Sequence, residues 1–127
     1  MANKKILVVD DEPHIVTMVK ARLESSGFSV VTASNGEEAL AKTKETHPDL
    51  VILDVMMPPP NGFQVCRILK STPESQDIPI MMLTAKTTKS NEFWGIESGA
   101  DAYVPKPYNA KELLEKVNAL INKDIKF

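Results

Sequence analysis

Short, nearly unbroken apolar runs, each separated from the next by a helix-length stretch, constrain this chain more than anything else in it. Ile6 to Val9, Leu50 to Leu53, Ile80 to Leu83 and Ala102 to Pro105 are four such runs, and Ser29 to Ala33 reads as a fifth strand. Strands of this kind are buried on both faces, which is the pattern of a parallel sheet covered by helices on either side. No hairpin-length connection joins one run to the next, so an antiparallel α+β arrangement finds no support.

The intervening stretches carry helical spacing. Ile15, Met18, Val19 and Leu23 form one stripe, stopped by Gly27. Asn35-Gly36 reads as a turn, followed by a short stripe of Ala39, Leu40 and Thr43 that His47-Pro48-Asp49 breaks. Phe63, Val65, Cys66 and Leu69 mark a third helix, stopped near Pro73. Asn91 to Ser98 reads as a fourth, capped by Gly99, and Leu113, Leu114, Val117, Leu120 and Ile121 as a fifth. The expectation is one α/β domain over residues 1–127, a doubly wound five-stranded parallel sheet with five helices, and a flexible tail at 123–127. A chain of 127 residues builds one core and has no room for a second.

Composition narrows the class. The net charge is −2 with no basic block, which argues against direct nucleic-acid contact. No apolar stretch approaches the roughly 20 residues needed to span a bilayer, and the start lacks a signal-peptide core. One cysteine, Cys66, permits no internal disulfide. A cytoplasmic location and no membrane partner are expected.

The chemistry sits where the strands end. Val9 runs into Asp10-Asp11, Leu53 into Asp54, Leu83 into Thr84 and Pro105 into Lys106. In a parallel sheet these residues gather at one carboxyl edge, so three carboxylates, a hydroxyl and an ammonium share a crevice. Carboxylates that close repel one another unless a cation neutralises them. Mg²⁺ suits such a site, taking one or two carboxylates with waters and phosphate oxygens; Mn²⁺ is the other ion expected. Asp54 is the candidate nucleophile, since a carboxylate can take a phosphoryl group as an acyl phosphate. A metal and Lys106 would cancel charge on the incoming oxygens, and Thr84 could donate a hydrogen bond to one of them. Taken singly, the acids are a solvated strand end, Thr84 a capping hydroxyl and Lys106 a surface lysine. Their coincidence at four strand ends is what points to phosphoryl chemistry. Lys106-Pro107 adds an X-Pro bond, for which cis is accessible at modest cost and would aim the lysine rigidly.

The chain resembles a bacterial two-component response-regulator receiver domain from Lys5 to Ile121. The matching segments are Val8-Val9-Asp10-Asp11-Glu12-Pro13, Asp54-Val55-Met56-Met57-Pro58, Asn61-Gly62, Leu83-Thr84-Ala85-Lys86, Gly99-Ala100-Asp101 and Lys106-Pro107-Tyr108. The resemblance implies a flavodoxin-like fold with sheet order 2-1-3-4-5, binding its ligand between the carboxyl ends of strands one and three. It implies that Asp54 is the phosphorylated residue, Asp11 a direct metal ligand, Asp10 a ligand through water, and Met56 a ligand through its backbone carbonyl. Thr84 would be the switch hydroxyl, Lys106 the site lysine and Tyr103 the aromatic that responds to phosphorylation. The donor would be a phosphohistidine on a sensor histidine kinase or phosphotransfer protein. Phosphorylation would remodel the face built by the helix over Asn91 to Ser98, the fifth strand and the last helix. The target would be a downstream output domain or protein, and the chain a monomer or a phosphorylation-dependent dimer. Such a domain is regulatory and not an enzyme, although it assists its own phosphotransfer and a slow autodephosphorylation.

A competing reading is a metal-dependent phosphohydrolase with an aspartyl nucleophile. Those enzymes typically place a general acid two residues after the nucleophile, where this chain has Met56, which cannot move a proton. Met56 and Lys86 also offer no obvious group to position water, so a long-lived phosphorylated state is expected. His14 and His47 lack ligand companions at helical spacing, Cys66 reads as a small core residue, and Met56, Met57, Met81 and Met82 read as core or loop packing. Trp94 fits either the core or an exposed partner surface. Pro58-Pro59-Pro60 and Pro105 depart from the family pattern; the first should stiffen the loop beside Asp54, and the second needs an edge strand.

Overall fold

In the computed structural model, which describes residues 4–84, 99–105 and 109–122, every apolar run is a strand. These are β1 (Lys5–Val9), β2 (Ser29–Ala33), β3 (Leu50–Asp54), β4 (Ile80–Thr84) and β5 (Ala102–Pro105). All pairings are parallel, and the spatial order is β2-β1-β3-β4-β5. Four helices are described: α1 (Pro13–Ser25), α2 (Gly36–Thr46), α3 (Gly62–Lys70) and α4 (Ala110–Ile121). The helix expected over Asn91 to Ser98, with Trp94, lies outside the described residues. So do Lys86, Lys106, the Lys106-Pro107 bond and the tail at 123–127.

The two-residue period of the strands splits the core between two faces. Leu7, Val9, Val51, Leu53 and Met82 pack with Ala39 of α2 and with Val65, Cys66 and Leu69 of α3. Ile6, Val8, Leu50, Ile52, Met81, Leu83 and Val104 pack with Val19 and Leu23 of α1 and with Leu113 and Val117 of α4. The central strand β3 is buried along its whole length, as a strand covered on both faces must be. β5 is an edge, where Pro105 removes no ladder donor that a further strand would need. Among the described residues no helix is long and apolar enough to cross a membrane.

Capping decides where helices begin and end. Asn35 does not make the separate turn expected of Asn35-Gly36: it is the N-cap of α2, its side chain accepting from the Glu38 N–H at 2.8 Å. Asn61 and Gln64 close a reciprocal capping box at the start of α3. That helix stops at Lys70, before Pro73, because hydroxyls take over its last carbonyls. Ser71 donates to Arg67 O, Thr72 to Ile68 O, and the buried Ser75 to Leu69 O at 2.6 Å. The Pro59-Pro60 bond is cis. At the amino edge of the sheet, Lys70 Nζ meets Asp101 Oδ2 at 2.8 Å and donates to Ile78 O at 2.8 Å. Asp101 also accepts from the Ile80 N–H, and its own N–H donates to Ile80 O.

Candidate functional site

The strand register assembles the carboxyl edge. Val9 pairs with Leu53, so Asp10 and Asp54 follow side by side on adjacent strands, which run about 4.8 Å apart. Asp54 in turn pairs with Leu83, so Thr84, the last residue of β4, stands one step further along that edge. Thr84 pairs with Pro105, the last residue of β5. Lys106, the next residue in the chain, lies outside the described residues.

Burial separates the acids. Asp10 and Asp54 are each only 2% exposed, whereas Asp11 and Glu12 face solvent. The Asp10 N–H donates to Ala33 O at 3.2 Å, continuing the ladder from β1 to β2. Its carboxylate accepts from the Glu12 N–H at 3.0 Å, which folds the chain back as α1 begins. That turn draws carboxylate oxygens of Asp10, Asp11 and Glu12 within 4.8 Å of one another. Hard oxygen donors, one buried and two exposed, fit a small divalent cation that keeps part of its water shell. Asp54 is not part of this tight group of three; the strand register sets it beside Asp10. Glu12 was not among the metal residues expected from the sequence. The signal available for it was its place as a third consecutive acid directly before the helix-starting Pro13.

The loop from β3 to α3 is closed by two hydrogen bonds, since Val55 O accepts from both Met57 N and Gly62 N at 3.2 Å. Gly62 lies hard against the end of β3: a Cβ there would overlap the Asp54 carbonyl oxygen and come within 2.8 Å of Val55 Cα. Met57 is buried and Met56 is 65% exposed. The expectation that Met56 packs therefore fails, because the tight loop turns successive side chains to opposite sides. A metal-ligand role through the Met56 carbonyl is independent of where its side chain goes. Tyr103 is half-buried against the cluster on the α2 and α3 face, and its hydroxyl oxygen is buried. His14 is exposed on the first turn of α1, 3.7 Å from Glu12, and Cys66 is buried in the core.

Residues 6–118 match the model of the response regulator receiver domain family. Among curated proteins, the alkaline phosphatase synthesis transcriptional regulatory protein PhoP of Bacillus subtilis is 47% identical over 121 residues. The match covers 95% of this chain and 50% of PhoP. The DNA-binding response regulator MtrA of Mycolicibacterium smegmatis is 43% identical over 121 residues, covering 95% of this chain and 52% of MtrA. The chain thus spans about half the length of the curated relatives it matches. Among solved structures, chemotaxis protein CheY4 of Vibrio cholerae superposes with a TM-score of 0.89 at 35% identity, covering 94% of this chain and 99% of that one. Response regulator protein TrrA of Thermotoga maritima, solved in complex with Mg²⁺ and BeF, gives a TM-score of 0.83 at 42% identity, covering 92% and 98%.

Proposed function

The chain belongs to the response-regulator receiver family, and from that premise we propose that it accepts a phosphoryl group on Asp54 with the help of Mg²⁺. A carboxylate oxygen of Asp54 attacks phosphorus, the phosphorus–nitrogen bond of a donor phosphohistidine breaks, and the histidine nitrogen leaves with the bonding pair. The product is an acyl phosphate on Asp54. Asp11 would hold the cation directly, Asp10 through water and Met56 through its carbonyl, with Glu12 close enough to join them. The cation supplies charge neutralisation to phosphoryl oxygens, as Lys106 would from the other side. Thr84 would donate its hydroxyl to a phosphoryl oxygen, and the group would act only by binding one arrangement of the domain better than another.

The observation that carries this reading is the burial of Asp10 and Asp54 side by side at the ends of β1 and β3, with exposed Asp11 and Glu12 beside them. In this order of strands, that is the switch point where a ligand binds. The TrrA complex with Mg²⁺ and BeF supports the choice of ion. Residues 1–127 would form one receiver domain acting in the cytoplasm with a sensor histidine kinase or phosphotransfer protein as donor. The altered face, made by β5, α4 and the helix expected over Asn91 to Ser98, would engage a downstream output domain or protein target. The oligomeric expectation remains a monomer or a phosphorylation-dependent dimer.

Acetyl phosphate with Mg²⁺ tests the reading by intact mass. The chain should gain one phosphoryl group, slowly lost by autodephosphorylation, and Asp54→Asn should gain none. Equal labelling of the Asp54→Asn variant would sink the assignment.

A further inference from the structure

Gly36 has no side chain and stands on α2, across the loop from the acids, yet the loop beside Asp54 closes against it. A Cβ on Gly36 would overlap the carbonyl oxygen of Pro60 and approach Pro60 Cγ at 2.7 Å and Val65 Cγ2 at 2.9 Å. Among the described residues, the hydrogen bonds donated by this loop's backbone come from Val55, Met57, Asn61 and Gly62, on either side of its three prolines. Pro58, Pro59 and Pro60 carry no N–H, so the middle of the loop has no backbone donor with which to fix itself. Contact with α2 locates it instead. That helix end is itself well fixed: Asn35 accepts from Glu38 N at 2.8 Å, and Glu38 accepts from Ser34 N at 2.7 Å.

We propose that Gly36 is a positioning residue for phosphoryl acceptance. By letting the α2 backbone come flush against Pro60, it sets where the loop carries the Met56 peptide relative to Asp54 and the neighbouring acids. The inference rests on the reading of the Met56 carbonyl as a metal ligand. A methyl group at position 36 pushes the loop outward against rigid partners, because Pro60 O is backbone and Val65 is buried in the core. The effect should reach the cation without touching any of its ligands, as supporting residues around metal sites do.

The test compares Gly36→Ala with Gly27→Ala in the metal-free chain and during titration with Mg²⁺. Gly27 has φ +96° and nothing within 4 Å of a built Cβ, so its substitution strains the backbone without a new contact. Gly36→Ala should exchange the Met57 and Gly62 amide hydrogens about tenfold faster and bind Mg²⁺ about tenfold more weakly, while Gly27→Ala leaves both near wild type despite its lower stability. Wild-type exchange at Met57 and Gly62 in Gly36→Ala overturns the proposal. Faster exchange with unchanged Mg²⁺ affinity overturns it too, since the loop would then have moved without consequence for the site. Should the wild-type chain bind no Mg²⁺, the metal reading falls separately, and amide exchange alone decides whether Gly36 sets the loop. If Gly36→Ala does not fold, Pro60→Ala removes the ring contact from the other side. It should shift both measurements in the same direction, and no shift in either would overturn the proposal.

Discussion

Gly62 rests against the backbone of Asp54 so closely that a single methyl group on its α-carbon would clash with the Asp54 carbonyl oxygen. The amino end of α3 is thereby set directly on the strand end that carries the candidate phosphoacceptor. Neither partner can give way cheaply, because Asp54 and its ladder neighbours are buried and Gly62 begins a capped helix. Gly62→Ala should lower the stability of the chain by about 1–3 kcal/mol, the usual range for overpacking. Urea unfolding with an unchanged slope would read this, and phosphorylation by acetyl phosphate should slow in the same variant.

Mg²⁺ should stabilise the wild-type chain and not Asp11→Asn. An ion that binds only the folded state adds about 2.7 kcal/mol at a concentration 100 times its Kd. In chelator the order should reverse or level, because Asp11→Asn removes one of three acids held close together. Thermal melts of both chains, with Mg²⁺ and with chelator, give all four values. A rise of equal size in the variant would remove Asp11 from the metal site.

Thr84→Ala should still accept a phosphoryl group but fail to pass the event on. The hydroxyl is read as the group drawn toward the phosphoryl oxygens, and losing it leaves the nucleophile in place. Mass after acetyl phosphate should therefore match wild type. The change in Trp94 fluorescence on adding beryllofluoride with Mg²⁺ should disappear. A full fluorescence response in Thr84→Ala would show that the signal travels by another route.

Once formed, the acyl phosphate should persist well beyond seconds in the presence of Mg²⁺. Met56, two residues beyond Asp54, offers a thioether that cannot position water, and its side chain points to solvent. Removing the donor and following intact mass over time measures the decay. Loss within seconds would mean that some other group directs water onto the phosphorus.

Much of this fold was legible because its strands announce themselves. β2, β3 and β4 begin where the apolar pattern changes, and Asp10, Asp54 and Thr84 lie at strand ends, where the chain leaves the sheet. Boundaries made by side-chain hydrogen bonds were harder to see. Asn35-Gly36 reads equally as a turn or as a helix start, because asparagine satisfies backbone N–H groups in both, and only its bond to Glu38 decides. α3 stops at Lys70, near Pro73 as expected, and its exact end is set by donors from Ser71, Thr72 and Ser75 that the proline does not announce. At the site, the runs alone set Asp10 and Asp54 at one edge of the sheet, and the strand order implied by the resemblance made them neighbours. The roles of Gly36 and Gly62 could not, since a glycine shows its purpose only through what comes close to it. The exposure of Met56 beside the burial of Met57 likewise follows from the loop's turn and not from residue type.

The ion pair of Lys70 with Asp101 has a mechanical meaning for the edge strand. Asp101 is lashed to Ile80 by two hydrogen bonds and to α3 through Lys70, immediately before β5 begins. With its root anchored in this way, β5 is held in register on β4 from its first residue to Pro105, which pairs with Thr84 at the far end.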